Sequence, residues 1–457
     1  MKEINDFLGE NRWVSPHISK TVYNNFVSGL TGIVSSVNGQ MHEEDDIHCH
    51  SVGATSANSS YTLGNPTSTL SGGGGRYKDA TFLAAVGEAI ERYCIAYLPK
   101  TTKVATFSEL SQDVSCLDPN QLSFFAEFQY IQPDFHYEKF DQTTQIAWTP
   151  TIDLRSGHTI YLPAQMVYMT SWAELEPCPT NITYATSNGL AAHLSVAEAC
   201  LSGLFEIIER DTFMLTWYSK LSMPILPNDF SPQVEKFWKK HVLPTGLTAH
   251  LVNLSSINEC PTVMAIVLNK NTSVAEFAIG AAAASSIESA AMKAIVEAFQ
   301  TRTWVKTEQR AGNTLPPDCN WDENIIGFDD HVRLYADPRS SELREKISFL
   351  HSGALEDTDP YQWDIEGAGP IDKINNIINI DRLRGMDFYA VDCTSPDVLG
   401  EGVHVVKVIS PQLLQLDAGY AARFLGHPRI RAGAFEQGLL SNKLTYEEIN
   451  HLPHPFP

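Results

Sequence analysis

Two stretches of the sequence repeat one charged pattern inside segments that are otherwise apolar. GEAIERYCIAY, from Gly87, and FEIIERDTFML, from Phe205, both contain E-x-x-E-R. On the 3.6-residue period of a helix, Glu198, Glu206 and Glu209 share one stripe, and apolar residues occupy nearly all the rest of the surface. A helix of this kind is buried, and carboxylates in a buried stripe lose solvation unless cations meet them. The fold must therefore accommodate an acidic interior.

The stretch from Gly87 and a third segment also carry polar stripes at helical spacing. Glu88, Glu91 and Arg92 fall on one side of the first, and Glu297 and Gln300 lie one turn apart on the other. The sequence thus predicts three long helices, at about 80–98, 195–218 and 285–306.

The clustered carboxylates predict a divalent metal site. Few basic residues lie near them in sequence, and hard oxygen ligands suit Mg²⁺. The predicted metal ligands are Glu88, Glu91, Glu198, Glu206 and Glu209. Exposed E-x-x-E-R faces are common on soluble helices, so a solvated surface is the alternative for any single helix.

A run of four glycines, in SGGGG at 71–75, precedes the first helix. We interpret it as a turn whose backbone N–H groups converge on an anion, with the helix N-terminus near Asp79 adding a favourable dipole. A flexible loop is the alternative. The run does not match G-x-x-x-x-G-K-[ST], which excludes a Walker A loop. Together with the carboxylates it predicts a nucleotide site.

Short β-branched segments predict strands that mostly form hairpins, among them TIYLPAQMVYM, TAHLVNL, TVMAIVL, EFAIGAA, DFYAVDC and VHVVKVIS. Strands and helices do not alternate strictly, which favours an α+β fold with layered mixed or antiparallel sheets over a doubly wound sheet. We expect residues 1–60 to form an N-terminal segment that docks a partner, and residues 61–457 to form the main domain.

Charge and composition exclude several classes of protein. With 32 basic and 54 acidic residues the net charge is −22, which disfavours nucleic acid or an anionic membrane as a partner. No signal peptide or membrane-spanning segment is evident, so we expect a cytoplasmic location. The eight cysteines are dispersed and lack C-x-x-C pairs, which is typical of reduced thiols.

Three ordered motifs resemble the YcaO family, which consists of ATP-dependent enzymes that activate peptide backbone amides. AAVGEAIERY resembles the first motif of the family, with Ala85 where serine is usual. SNGLAAHLSVAEACLSGLFEIIERD and ESAAMKAIVEAFQTR resemble the second and the third. The resemblance covers the chain from about Asn65 onward and implies the YcaO fold, with buried helices that carry an acidic ATP and Mg²⁺ site.

The resemblance also implies roles for individual residues. The five predicted ligands would hold Mg²⁺ on the ATP phosphates. Around the nucleotide it places Ser71, Gly74, Arg76, Arg92, Arg210, Glu297 and Gln300. Family members often carry lysine in the glycine-rich turn, and Gly74 stands at that position here, so Arg76 is a substitute and weakened activity is an alternative.

The sequence ends in LPHPFP, which reads P-x-P-x-P. Alternating prolines favour a stiff extended segment, although a disordered tail is the alternative. The ending resembles azoline-forming YcaO proteins, in which the tail reaches the active site. The resemblance implies that Pro453 and Pro455 deliver the Pro457 carboxylate to the reaction, where it acts as a base or positions the substrate.

The implied reaction is cyclodehydration of Cys, Ser or Thr in a ribosomal precursor peptide to thiazolines or oxazolines, through phosphorylation of the backbone amide oxygen. The chain resembles the stand-alone D component of a thiazole/oxazole synthetase. An E1-like or leader-binding protein would present the precursor, an FMN-dependent dehydrogenase would oxidise azolines, and the chain would form a homodimer within a hetero-oligomer. The alternatives are another nucleophile, giving a thioamide or an amidine, and a non-catalytic scaffold.

Overall fold

The computed structural model of the chain describes residues 2–58, 70–170, 172, 175–357 and 359–456. Its strands are β1 (Val34–Gly39), β2 (His50–Ser56), β3 (Leu70–Gly75), β4 (Lys103–Ala105), β5 (Ile146–Asp153), β6 (Thr159–Pro163), β7 (Leu190–His193), β8 (Ile225–Leu226), β9 (Thr248–Asn253), β10 (Thr262–Leu268), β11 (Phe277–Ala283), β12 (Tyr389–Asp392) and β13 (His404–Ile409). Its helices are α1 (Lys2–Leu8), α2 (Pro16–Tyr23), α3 (Lys78–Ile95), α4 (Phe107–Leu110), α5 (Glu127–Tyr130), α6 (Val196–Ser219), α7 (Pro232–Phe237), α8 (Ile287–Ala311), α9 (Trp321–Asn324), α10 (Phe328–Ala336), α11 (Ser341–Lys346), α12 (Pro370–Ile378), α13 (Pro396–Gly400) and α14 (Arg429–Glu436).

The strands form three antiparallel sheets. Their orders are β1-β2-β3, then β11-β10-β9-β8, then β4-β5-β12-β13-β7 with β6 paired to β5. Sequential strands pair as hairpins in β5–β6 and in β9–β10–β11, as the sequence predicts. Helices and antiparallel sheets are mixed without alternation, which confirms the α+β class. The strand predicted from Thr159 ends early, because residues 164–166 form a 3₁₀ turn.

The three predicted helices are present as α3, α6 and α8, with boundaries shifted by a few residues. The left-handed residue Lys220, at φ 51°, follows the end of α6, and Gly312, at φ 73°, follows the end of α8. Helix α6 packs on β7, β13 and β11, and every residue from Asp211 to Ser219 is buried. A helix that is apolar nearly all round thus occupies the interior, as its sequence predicts.

The glycine run does not form the predicted turn. It forms strand β3, which pairs with β2 along its whole length. A Cβ atom added to Gly73 would lie 2.3 Å from the carbonyl oxygen of Thr81 in α3, and one added to Gly74 would lie 2.5 Å from Cδ of Gln300 in α8. The run from Gly72 to Gly75 has no residue at positive φ. These glycines are therefore needed for their size, since two helices press on the strand from opposite faces.

The N-terminal segment is packed into the rest of the molecule. The expected boundary at residue 60 lies outside the described residues, but β1 and β2 before it share a sheet with β3 after it. Tyr23 and Phe26 pack in the same core as α3. Buried Arg302 and Lys306 of α8 form ion pairs with Asp46, in the loop between β1 and β2. Within the described ranges, no helix has both the length and the apolarity to cross a bilayer.

Candidate nucleotide and metal site

Helices α3, α6 and α8 bring carboxylates together at one place. Arg210 of α6 forms ion pairs with Glu206, at 3.7 Å, and with Glu209, at 3.5 Å. Charges on Glu297 of α8 and Glu88 of α3 also act on the Arg210 guanidinium. We call the following set the acidic cluster: Glu88, Glu91, Glu206, Glu209 and Glu297.

Backbone amides orient three of these carboxylates. The N–H of Gly72 in β3 donates to Glu88 at 2.8 Å, and the N–H of Ala192 in β7 donates to Glu91 at 2.7 Å. The N–H of Ala283 in β11 donates to Glu209 at 3.1 Å. Each of the three sheets therefore donates a backbone N–H to a carboxylate of α3 or α6, and these bonds hold the side chains in place.

The cluster contains more negative charge than its surroundings neutralise. Burial, together with the charges of Glu206 and Glu88, raises the pKa of Glu91 to about 8, and burial raises that of Glu209 to about 8. Burial likewise raises the pKa of Glu206 and of Glu297 to about 7, although Arg210 opposes the shift. Enclosed carboxylates with raised pKa values are typical of sites that bind cations or ligands.

Glu198, a predicted metal ligand, lies apart from the acidic cluster. It precedes Glu206 by two turns of α6, or about 12 Å along the helix. Both of its carboxylate oxygens accept from the N–H of Val14, at 3.3 Å. Tyr23 connects the two regions, because the charges of Glu91 and Glu198 both act on its hydroxyl.

Two of the predicted cationic residues, Arg92 and Arg210, lie in or beside the cluster, and a third, Arg76, does not. Arg92 forms an ion pair with Glu88 at 3.5 Å. The Arg76 guanidinium lies over the rings of Tyr77 and Phe237 and contacts Sδ of Met292. Lys293 of α8 adds a positive charge that acts on Glu209.

Ser71 and Gly74 belong to β3, and Gln300 of α8 packs against this strand. Ser71 is buried, and its hydroxyl oxygen has no hydrogen-bond partner. Gln300 packs directly on Gly74, which leaves no room for a lysine side chain at this position unless Gln300 moves. The absent Cβ, rather than a lost phosphate ligand, explains the glycine here.

The proline-rich tail reaches the acidic cluster. The Phe456 ring is fully buried, and the Arg210 guanidinium lies 4.5 Å from its centroid. The carbonyl oxygen of Pro453 accepts from the Tyr335 hydroxyl at 2.8 Å, and the His454 ring stacks on His331 at 4.0 Å. Pro455 lies between these anchors, and Pro457 lies outside the described residues.

The residues fit Mg²⁺ that is bound jointly with a nucleotide. In the part of the chain that the structure describes, no three His, Cys, Asp or Glu side chains are arranged to hold one ion by themselves. Mg²⁺ usually takes one or two carboxylates and completes its shell with phosphate oxygens and water. The unpartnered Ser71 hydroxyl is a donor that a phosphate oxygen would satisfy.

Sequence reasoning missed the backbone donors of Val14, Ala192 and Ala283, since a main-chain N–H leaves no signal in residue types. It also missed Lys407 of β13, whose ammonium is buried and donates to the carbonyl oxygens of Val167 and Thr186. A buried lysine in a β-branched strand, as in VHVVKVIS, is the signal that could have found it.

Comparison with known proteins identifies the family. The family described as "YcaO cyclodehydratase, ATP- and Mg²⁺-binding" matches residues 71–414. A Haemophilus influenzae protein without assigned function is 23% identical over 347 residues, which cover 72% of this chain and 55% of that protein. The chain thus spans about half the length of this curated relative.

Solved structures share the fold. A heterocyclase in complex with substrate and cofactor superposes with a TM-score of 0.74 at 22% identity, covering 98% of this chain and 58% of that one. YcaO from Methanopyrus kandleri bound with AMPPCP and Mg²⁺ gives 0.58 at 17% identity, with 88% and 92% covered. The E. coli microcin synthetase McbBCD complex with pro-MccB17 bound gives 0.56 at 15% identity, with 84% and 90% covered.

The chain belongs to the YcaO cyclodehydratase family, whose cofactors are ATP and Mg²⁺. This confirms the resemblance carried by the three motifs, together with the fold and the cofactors that it implies. The roles of individual residues remain predictions, and so does the substrate.

Proposed function

We propose that the protein catalyses ATP-dependent cyclodehydration of Cys, Ser or Thr residues in a ribosomal precursor peptide, giving thiazolines or oxazolines. The observation that carries the proposal is the placement of the tail: Phe456 packs on Arg210, which pairs with Glu206 and Glu209 of the acidic cluster. A proline-rich tail that reaches an acidic nucleotide site favours azoline formation over the other reactions of the family.

The chemistry requires three changes of bonding. The thiol or hydroxyl of the substrate attacks the preceding carbonyl carbon, and a base removes its proton. The resulting oxyanion takes the γ-phosphoryl group of ATP and releases ADP. Phosphate then leaves with the former carbonyl oxygen, the amide nitrogen loses its proton, and a C=N bond forms in the ring that the first step closed.

The acidic cluster and Glu198 would hold Mg²⁺ on the ATP phosphates, where the ion supplies charge neutralisation for phosphoryl transfer. Arg92, Arg210 and Gln300 would contact the nucleotide, with Ser71 donating its free hydroxyl. The Pro457 carboxylate would act as base or position the substrate.

Partner proteins are part of the proposal. One solved relative is a synthetase complex with a precursor peptide bound. We propose that an E1-like or leader-binding protein presents the precursor to this chain, that an FMN-dependent dehydrogenase oxidises the azolines, and that the chain acts in the cytoplasm as a homodimer in the assembly. Tethering through a leader raises the local concentration of the reacting residues.

The direct test incubates the protein with a Cys-rich precursor, its leader-binding partner and Mg-ATP, and follows peptide mass. We expect the loss of one water per ring and one ADP per ring. Glu209→Gln, which keeps shape but removes a cluster charge, should lower the rate at least about a hundredfold. Glu235→Gln in α7, at a partly exposed side chain that pairs with Lys239 outside the cluster, should not change it. Exchange of oxygen for sulfur would indicate thioamide formation, and an unchanged mass would indicate a scaffold.

A further inference from the structure

Arg210 also lines a cavity. It is partly open, with an empty volume of about 700 Å³ including its mouth, and β13, residues 410–415 and the loop at 122–124 surround it. Arg210 belongs both to this cavity and to the ion pairs of the acidic cluster. We call this space the donor cavity, because unpartnered hydrogen-bond donors belong to residues that line it.

Two side chains that line the donor cavity have hydrogen-bond donors without partners. The Asn188 side chain is 7% exposed, and its Nδ2 has no partner. Nη1 of Arg210 is also buried without a hydrogen bond, whereas Nε faces Glu209 at 3.5 Å. Buried donors are nearly always satisfied in folded proteins, so two unpartnered donor nitrogens on residues that line one cavity indicate a bound acceptor.

The two basic side chains His427 and Lys407, which also line the cavity, do not supply that acceptor. His427 uses both ring nitrogens, since Nε2 pairs with the carbonyl oxygen of Pro411 and Nδ1 accepts from the N–H of Arg429. Lys407 adds positive charge: burial lowers its pKa to about 8, so it stays protonated at neutral pH. No Asp or Glu is among the described residues that line the cavity.

The opposite wall of the donor cavity is apolar. Leu122, Phe124, Met166 and Phe424 line it, and Leu122 and Met166 are only partly buried. Such a wall offers no hydrogen bonds to a free phosphate ion. A peptide residue has both an apolar side chain and a backbone carbonyl oxygen, and therefore matches both halves of the cavity.

We propose that the donor cavity binds the substrate residue that precedes the cyclising Cys, Ser or Thr, with its side chain against the apolar wall and its carbonyl oxygen accepting from Asn188 and Arg210. This inference rests on the proposed function. Because Arg210 also contacts the acidic cluster, the carbonyl oxygen lies where it can meet the phosphoryl group. The two donors stabilise the oxyanion that forms when the carbonyl is attacked.

The binding half of the proposal is tested without turnover. A peptide with photo-leucine directly before cysteine is irradiated with the wild-type protein in the absence of nucleotide, and adducts are mapped by mass spectrometry. We expect adducts at Leu122 or Met166, which unlabelled peptide prevents and Asn188→Leu weakens. Adducts confined to other surfaces would overturn the proposal. Labelling at these positions without water loss in the presence of partner and Mg-ATP would refute the proposed function alone.

Two variants and a control test the effect of the cavity on the reaction rate. Asn188→Leu, close in shape but without donors, should lower kcat about a hundredfold and leave the KM for ATP unchanged. Leu122→Trp should lower kcat/KM about tenfold more for peptides with leucine before cysteine than for peptides with glycine there. Leu243→Trp, at an exposed leucine, should change neither. Thermal unfolding midpoints verify that each variant folds.

Two results would contradict the cavity assignment even if the enzyme is active. Unchanged kcat in Asn188→Leu together with unchanged selectivity in Leu122→Trp would show that the substrate residue binds elsewhere. Relief of inhibition by inorganic phosphate in Asn188→Leu, with peptide labelling intact, would show that the cavity holds phosphate rather than the peptide.

Discussion

At the scale of single residues, the acidic cluster contains carboxyl groups that hold their protons more strongly than exposed ones do. Glu91 and Glu209 are enclosed, and burial raises the pKa of each to about 8. A carboxyl with a raised pKa keeps its proton in the folded chain at pH values where the unfolded chain has released it. Its contribution to stability is therefore present below pH about 4.5 and is lost as pH rises towards about 8.

This linkage predicts how ligand binding depends on pH. Mg²⁺ requires deprotonated carboxylates, so binding of Mg-ATP should release protons and strengthen between pH about 6 and 8. We expect the gain in thermal midpoint on adding Mg-ATP to increase over that range and then level off. Thermal unfolding with and without Mg-ATP, at several pH values, measures it.

Glu91→Gln provides the matched variant for this prediction. It keeps the shape of the side chain and removes one titrating group, so the pH dependence of the gain should become shallower. A gain that does not vary with pH in the wild-type protein would mean that the raised pKa values play no part in binding.

At the scale of elements, the sequence predicts helices better than it predicts what lies between them. The E-x-x-E-R patterns locate α3 and α6 because charge periodicity on a helix is a local property. The glycine run shows the limit. Gly73 and Gly74 belong to a strand because α3 and α8 approach it closely, and those contacts join residues far apart in sequence.

The candidate site shows the same difference between local sequence patterns and long-range contacts. Glu206 and Glu209 are predictable because they share a helical stripe with one arginine. The Val14 N–H that meets Glu198, and the Asn188 side chain of the donor cavity, are not, since each depends on packing between distant segments. Residue types suggest candidate ligands, and tertiary contacts decide which of them converge.

The tail is the element with the sharpest functional prediction. Phe456 packs on Phe213 with centroids 4.6 Å apart and on the Arg210 guanidinium. Phe456→Ala should release the end of the tail and lower ring formation at least about tenfold, while ATP affinity changes little, because the cluster carboxylates keep their own supports. Phe435→Ala, at a 40% exposed phenylalanine of α14, is the control.

Ring formation by mass spectrometry and ATP affinity by calorimetry separate the two effects. Equal losses in both would show that the tail supports the nucleotide site rather than the reaction. If neither ring formation nor ATP affinity falls, the tail takes no part in the reaction. The proposed function would then lose the observation on which it depends.

At the scale of the whole molecule, the site is assembled from all three sheets and from the N-terminal segment. Gly72 of the first sheet, Ala283 of the second and Ala192 of the third each donate a backbone N–H to a carboxylate. Val14, between α1 and α2, donates to Glu198. Binding at the cluster should therefore stabilise regions that are distant in sequence.

Val14→Pro tests this coupling, because proline removes the N–H that both oxygens of Glu198 accept. We expect Mg-ATP affinity to fall about tenfold, as is typical when a group that orients a metal ligand is lost. Val14→Ala keeps the N–H and should bind like the wild type. Calorimetry gives the affinities, and limited proteolysis of residues 1–33 should slow on adding Mg-ATP in the wild type and in Val14→Ala. Equal affinities in the two variants would show that the N-terminal segment does not affect the nucleotide site. The partner-docking role expected from the sequence would then be the role that remains for this segment.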